Sequence, residues 1–298
     1  MRPKRLRMKQ IISVSRRTDI PAFYADWFIA RLRAGVAEYR NPMFPEKVHS
    51  VSLKKDDVAA FVFWSKNYAP MMKHLDEIDA LGIPSIFHFT INGYPKIFEP
   101  QVPDLSALID TFKRLSERYS PERVFWRYDP IVISGATSLS FHIENFHKIS
   151  SELKGYTSRC YFSFVSPYKK TVYNLNKLAK KEGFTWKPPS DEETQMLLKN
   201  MTMLLYGSGI TLYSCSNDAL LTEGIEKGHC IDGELIEKIS GYRSPIKATR
   251  KGCGCADARD IGAYDTCPHG CAYCYANANP AIASRNHAAH ASSLTALK

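Results

Sequence analysis

Three cysteines stand close together near the end of the chain, in Cys267-Pro-His-Gly-Cys271-Ala-Tyr-Cys274-Tyr275. Thiolates spaced x3 and then x2 on one loop form a metal–sulfur ligand set, and a cubane iron–sulfur cluster takes four of them. Three leave one iron without a protein ligand, and an open metal position is where a small molecule is bound and activated. Pro268 and Gly270 suit a loop that wraps tightly and turns backbone N–H groups toward sulfide. Tyr273 directly precedes the third cysteine and Tyr275 follows it. The other reading of the same residues is a structural zinc loop with His269 as its fourth ligand.

Of the eight cysteines, four more invite a metal reading. Cys253 and Cys255 flank one glycine, a spacing that points two thiols at one atom or cluster, and Cys215 and Cys230 lie upstream. Together they are candidates for a second site, an auxiliary iron–sulfur cluster or a structural zinc. The plain alternative leaves Cys215 and Cys230 as small core residues, which is what buried cysteine usually is. Cys160 opens an apolar run and is expected in the core.

These loops need elements to hold them. Short apolar runs at 11–15, 60–64, 84–91, 124–128, 160–165 and 210–213 read as strands, and most are followed by an amphipathic helical stretch. A weaker ribbon falls within 40–53. Asp19 with Pro21, Asp104, and the Ser190-x-x-Glu193 capping box mark helix starts, and a helix is expected from about Ser140. Strands alternating with helices argue for parallel pairing. The expected fold is α/β: a parallel (β/α)6-type partial TIM barrel over residues 11–240, with a basic arm at 1–10 and a cysteine-rich segment at 241–298 closing the mouth. The alanine-rich tail from Ala276 is expected to be partly helical at best and to fray after Arg285.

In a parallel barrel every strand opens on one face, and chemistry gathers there. The six expected strand ends carry Arg16, Arg17 and Asp19; Ser65, Lys66 and Asn67; Thr90 and Asn92; Arg127 and Asp129; Ser163, Ser166 and Tyr168; and Ser214 and Asn217. The sequence beyond the sixth strand leaves from that same face, so it can return the cysteine loop over the ring.

Composition narrows the rest. With 298 residues and 44% apolar content, the chain can bury a sizeable core. No apolar run approaches membrane-spanning length, and no apolar stretch of signal-peptide type follows the N-terminus. A cytoplasmic location with reduced cysteines is expected, favouring metal over disulfide. The net charge of +10 is half supplied by Arg2, Lys4, Arg5, Arg7 and Lys9. Such an arm is a nucleic-acid contact or a solvated tail, and no nucleic-acid-binding motif accompanies it.

The Cys267–Tyr275 loop resembles the cluster loop of the radical S-adenosylmethionine enzymes, Cys-x3-Cys-x2-Cys with an aromatic before the last cysteine. The resemblance implies a [4Fe-4S] cluster on Cys267, Cys271 and Cys274 whose free iron takes the amino and carboxylate groups of S-adenosylmethionine. Reductive cleavage then gives a 5′-deoxyadenosyl radical, with electrons from a flavodoxin or ferredoxin. That superfamily carries the loop near the N-terminus; here only 24 residues follow Cys274, so either a barrel lies upstream and the loop closes it from the far end, or the resemblance is local. The superfamily's Gly-Gly-Glu stretch is absent. The chain as a whole resembles an uncharacterised bacterial domain family with such a cysteine cluster at its C-terminus, on residues 15–21, 63–67, 126–130 and 260–267.

On this reading Asp19, Asp129 or Asn67 takes the ammonium or ribose of the cofactor, and Arg16, Arg17, Lys66 or Arg127 its carboxylate. Arg127 is preferred because a guanidinium fork fits a carboxylate at two points; its competing role is an ion pair with Asp129. Tyr168 is a candidate radical or proton relay, and Tyr273 flanks the cofactor. The basic ring suggests an anionic substrate: a nucleotide, a nucleic acid or a phosphorylated metabolite. Two rivals stand beside this one. One is a zinc-stabilised binding protein; the other is an electron-transfer protein whose cluster takes His269 or Cys255 as fourth ligand.

Overall fold

The computed structural model describes residues 9–247 and 252–297. The strands are β1 (Gln10–Val14), β2 (Val36–Asn41), β3 (Phe44–Ser52), β4 (Val58–Ser65), β5 (Ser85–Thr90), β6 (Val124–Ile131), β7 (Arg159–Phe164), β8 (Thr211–Cys215), β9 (Ile225–Gly228) and β10 (Ala258–Asp260). The helices are α1 (Ile20–Phe23), α2 (Ala25–Ala34), α3 (Ala69–Met72), α4 (Leu75–Ala80), α5 (Leu105–Tyr119), α6 (Leu139–Leu153), α7 (Lys169–Glu182), α8 (Asp191–Leu205), α9 (Gly233–Ser240) and α10 (Pro280–Ala288).

Eight strands form one parallel sheet in the order β10-β1-β4-β5-β6-β7-β8-β9. The six expected strands are all present and stand side by side in chain order. The sheet does not close into a full barrel: among the described residues β9 and β10 are its two edges and do not pair with each other. Both edge strands are short, and the cysteine-bearing segment lies over the inner face. Cys253, Cys255 and Ala256, with Ile231 and Ile236, pack there on Ile11, Ala60, Val62, Ile86, Phe125 and Tyr161.

The other sheet face carries the alternate residues. Ile12 and Val14, Phe61 and Phe63, Phe87 and Phe89, Trp126 and Tyr128, and Cys160 and Phe162 all enter the main core with the helices. Both faces are therefore apolar along the strands, as a covered parallel sheet requires. Cys160 is fully buried here, as expected.

The ribbon proves to be an antiparallel pair of β2 and β3. Ser190 makes its capping box with Glu193, and Asp19 caps α1 through Ala22 N. Asp104 precedes α5, yet its carboxylate pairs with Lys96 at 2.9 Å and makes no cap bond. Helix α7 went unread because its lysine-rich stripe has few apolar positions. The C-terminal tail is ordered rather than frayed: Trp27 Nε1 donates to Leu294 O at 2.8 Å, Thr295 Oγ1 donates to Glu38 at 2.6 Å, and Leu297 is buried. Of the basic arm, Arg2, Lys4, Arg5 and Arg7 lie outside the described residues, as do residues 248–251 of the cysteine-rich segment. Among the described residues no helix is long and apolar enough to cross a membrane.

His142 on α6 is structural. It is buried, with Nε2 on Val132 O at 2.9 Å and Nδ1 on Tyr128 Oη at 2.8 Å. The carbonyl fixes Nε2 as a donor, and burial keeps the ring neutral by lowering its pKa to about 4. Below pH about 6.5 the unfolded chain takes up a proton there that the folded chain refuses until about pH 4. Stability from this site is thus complete above pH about 6.5 and lost at roughly 1.4 kcal/mol per pH unit as pH falls through that window. Urea unfolding at pH 7.5 and pH 5 should show a smaller acid loss in His142→Gln than in the parent; equal losses would refute the assignment.

Candidate functional site

The C-terminal ends of the central strands open onto one cavity of about 290 Å³. Ser15, Ser65, Thr90, Asp129, Ser163 and Cys215 reach it from β1, β4, β5, β6, β7 and β8 or the residue just after. Seven of the eight cysteines line it; only Cys160, in the core, does not. The cavity is where the two cysteine groups of the sequence meet.

The first wall is the Cys267–Cys274 loop. Gly270 has φ +72°, and a Cβ there would meet Pro100 Cγ at 3.0 Å, so the turn needs glycine. The loop is tied down by Gln101 N to His269 O at 3.2 Å, Ala272 N to Phe98 O at 2.9 Å, and Asn277 Nδ2 to Cys267 O at 2.6 Å. His269 is buried, and its Nε2 meets Asp19 Oδ2 at 2.8 Å. That carboxylate also accepts from Ala22 N, Ser65 Oγ and Lys66 N at 3.0, 2.6 and 2.8 Å. Asp19 therefore binds three chain segments together and has no acceptor left for a cofactor ammonium. Burial pushes all three thiols upward in pKa; Asp19 adds to the rise at Cys267, while Lys66 opposes it at Cys271.

Behind this wall lies a buried charge network. Lys66 Nζ pairs with Glu99 at 2.8 Å, with both side chains nearly inaccessible. Burial works against the Lys66 ammonium, but Glu99 and the nearby Cys271 outweigh it and hold it charged. Tyr273 Oη donates to the same Glu99 oxygen, and Asn92 Nδ2 donates to Tyr273 Oη at 3.0 Å and to Glu99 at 3.2 Å. Asn92 Oδ1 in turn accepts from Asp129 N at 2.8 Å. Tyr273 thus orients the loop through its hydroxyl.

The second wall joins Cys215 at the end of β8, Cys230 beyond β9, and the Cys253-Gly-Cys255 turn. Cys215 Sγ and Cys230 Sγ are 2.7 Å apart, and Cys255 shares hydrogen bonds with Cys230 and Cys253. These bonds favour the thiolate at Cys230 and push Cys215 and Cys255 upward. Arg127 lies alongside: it pairs with Asp129 at 2.5 Å, its Nη1 reaches Cys230 Sγ at 3.5 Å, and it packs over Trp64 and Tyr161. Asp129 also accepts from Ser163 Oγ. The expected competition for Arg127 is thus resolved as an ion pair that still lines the cavity.

Asp260 pins the C-terminal segment to β1. It accepts from Ser13 Oγ at 2.9 Å, Ser15 Oγ at 2.5 Å, Arg16 N at 2.8 Å and Gly262 N at 3.0 Å. A Cβ on Gly262 would sit 2.0 Å from Ser15 Oγ, so only glycine passes there. Arg16 stays near Asp260 at 3.7 Å, and Arg17 lies over Tyr264. Tyr168 and Ser166 stand exposed at the rim, and Tyr275 Oη donates to Arg16 O at 2.6 Å.

Among the described residues, no three His, Cys, Asp or Glu side chains converge on a single-ion position. The thiols border a shared volume instead. A family model described as a domain of unknown function, DUF1848, matches residues 11–276. The chain belongs to the DUF1848 family. No curated protein matches it. The DUF1848 match opens in β1 and ends two residues after Cys274, so it contains both cysteine groups and the whole sheet.

Of the site residues expected for this DUF1848 chain, Arg16, Arg17, Asp19, Lys66, Arg127, Asp129, Tyr168 and Tyr273 line the cavity with the seven cysteines. Asn67 does not; its Oδ1 caps Ala69 N at 3.0 Å instead. Asn92 stands one layer behind, and Asn217 caps Ala219. Glu99, Asp260, Trp64 and His88 were missed. Glu99 sits in a loop with no periodicity, and Asp260 ends a strand of only three residues. Trp64 and His88 stack at 4.2 Å as inward positions of β4 and β5, which the period-two pattern could have assigned to the inner face.

Proposed function

We propose that this protein is an iron–sulfur enzyme of the radical S-adenosylmethionine type, acting at the cavity on an anionic substrate. The observation that carries the reading is the convergence of the Cys-x3-Cys-x2-Cys loop with the polar strand ends on one cavity. The six central strands stand in the order of a (β/α) barrel, which supports a partial-barrel relationship.

The residues present fit a cluster by donor chemistry. Cys267, Cys271 and Cys274 offer three thiols on one short, tied loop, and Lys66 places a buried cation against them. When bound, the cluster supplies a reducing electron and one open iron. Lys66, held by Glu99, offsets the thiolate charge. Asp19 fixes His269 and thereby the loop. Arg16 and Arg17 give the mouth its positive side and suit an anion. Asp129 keeps Arg127 at the cavity wall. The rings of Trp64 and Tyr273 give the cavity an apolar part of its wall.

The test uses anaerobically purified protein reduced with dithionite, with and without S-adenosylmethionine. The expected result is a paramagnetic signal that shifts with the cofactor, with 5′-deoxyadenosine appearing and both effects lost in Cys271→Ala. A cluster indifferent to S-adenosylmethionine would leave the electron-transfer reading; zinc without iron at the triad would leave a structural one.

A further inference from the structure

We infer that Cys215, Cys230, Cys253 and Cys255 bind a second metal centre of their own, a tetrathiolate site on the same cavity as the Cys267–Cys274 loop. Four thiols from three separate chain segments come into contact here. Cys215 ends a strand, Cys230 follows the edge strand, and Cys253 and Cys255 come from the returning segment. Buried cysteines that serve only as small apolar residues pack among apolar side chains. Cys160 does so in the main core. These four instead line one cavity together, with Cys215 Sγ and Cys230 Sγ 2.7 Å apart and Cys255 beside Cys230 and Cys253.

The surroundings are those of a held sulfur site. Gly254 between the paired cysteines lies under the His229 ring, where a Cβ would stand 2.4 Å from Cε1, so the turn can approach only as Cys-Gly-Cys. Ile231 N donates to Cys255 Sγ at 3.4 Å, and Arg127 Nη1 to Cys230 Sγ at 3.5 Å. Backbone and guanidinium donors aimed at sulfur lower the charge that thiolates carry onto a metal and orient the ligands. His88 Nε2 bonds Cys230 O at 2.8 Å and fixes that ligand's backbone. A complete set of four protein thiolates leaves no open position. The two cysteine groups therefore differ in kind: the triad is open to a small molecule and the tetrad is closed.

The inference does not depend on what the triad binds. The experiment uses full-length protein purified without oxygen, with iron, zinc and acid-labile sulfide measured per chain in the parent and in the triple variant Cys267→Ala/Cys271→Ala/Cys274→Ala. The triple variant is expected to keep a centre of iron with matching sulfide, and to lose it when Cys253→Ser is added. A folded triple variant free of iron and sulfide overturns the inference. Where the triple variant does not fold, Cys253→Ser in the otherwise unchanged chain decides. Its metal content is expected to fall by one whole centre, and an unchanged content overturns the inference. Loss of the 5′-deoxyadenosine reaction with the tetrad's metal intact would be a failure of the triad reading alone.

Discussion

Glu99→Ala is expected to cost about 3–5 kcal/mol of folding stability, the price of stranding a buried cation. Glu99 is the only carboxylate paired with Lys66 among the described residues, and it also accepts from Tyr273 and Asn92. With Glu99 gone, the Lys66 ammonium stays out of water without its paired carboxylate. A buried pair loses far less when both members leave together, because no charge remains to be solvated. Lys66→Met with Glu99→Leu should therefore regain most of the loss. Chemical denaturation of the parent, the single and the double variant measures both statements. A single-variant loss under about 1 kcal/mol, the level of a solvent-exposed pair, would show that the network is wet and does not hold the loop.

Asp19→Asn is expected to cost about 3 kcal/mol through hydrogen-bond polarity alone, since its shape is unchanged. One carboxylate oxygen accepts from Ala22 N and Ser65 Oγ, the other from Lys66 N and His269 Nε2. An amide placed either way turns an NH₂ group onto at least one backbone N–H. The His269 contact is the only one of the four that reaches the cysteine loop, so iron retention during anaerobic gel filtration should fall along with stability. Asp19→Ala serves as the control, deleting the acceptors without adding a donor. If Asp19→Asn matches the parent in both unfolding midpoint and iron content, the carboxylate is not the clasp between α1, β4 and the loop.

The central six strands were legible because both of their faces are buried and their apolar runs are dense. Runs such as 60–64 and 124–128 need no partner to be recognised. The strand-end residues were legible for the same reason, since the end of a run fixes what lies at the mouth. Edge strands β9 and β10, of four and three residues, carry too little pattern. They exist because β8 and β1 offer unpaired edges. Glu99 and Asp260 were invisible for a related reason: each is defined by partners far along the chain, and neither has a local spacing that reveals them. Asp19 was recognised as a cap but not as a clasp, because only the cap is local. Closure was not legible, because strand count and rhythm are shared by an open sheet and a barrel, while closure depends on the two edges meeting.

The pairing of β10 with β1 has a consequence for how the protein is made. Ser13 and Asp260 are separated by 247 positions. β1 leaves the ribosome long before β10 and therefore waits for it before its outer edge is satisfied. Contacts this distant carry a large loop-closure cost and slow folding. Until the closing segment arrives, β1 presents an unpaired edge of the kind that invites association with other chains. The cysteine loop follows β10, so its docking also comes late. The order of events is thus synthesis, sheet completion and only then assembly of the metal-binding wall, which makes a chain truncated before residue 258 one that aggregates rather than one that merely lacks its site.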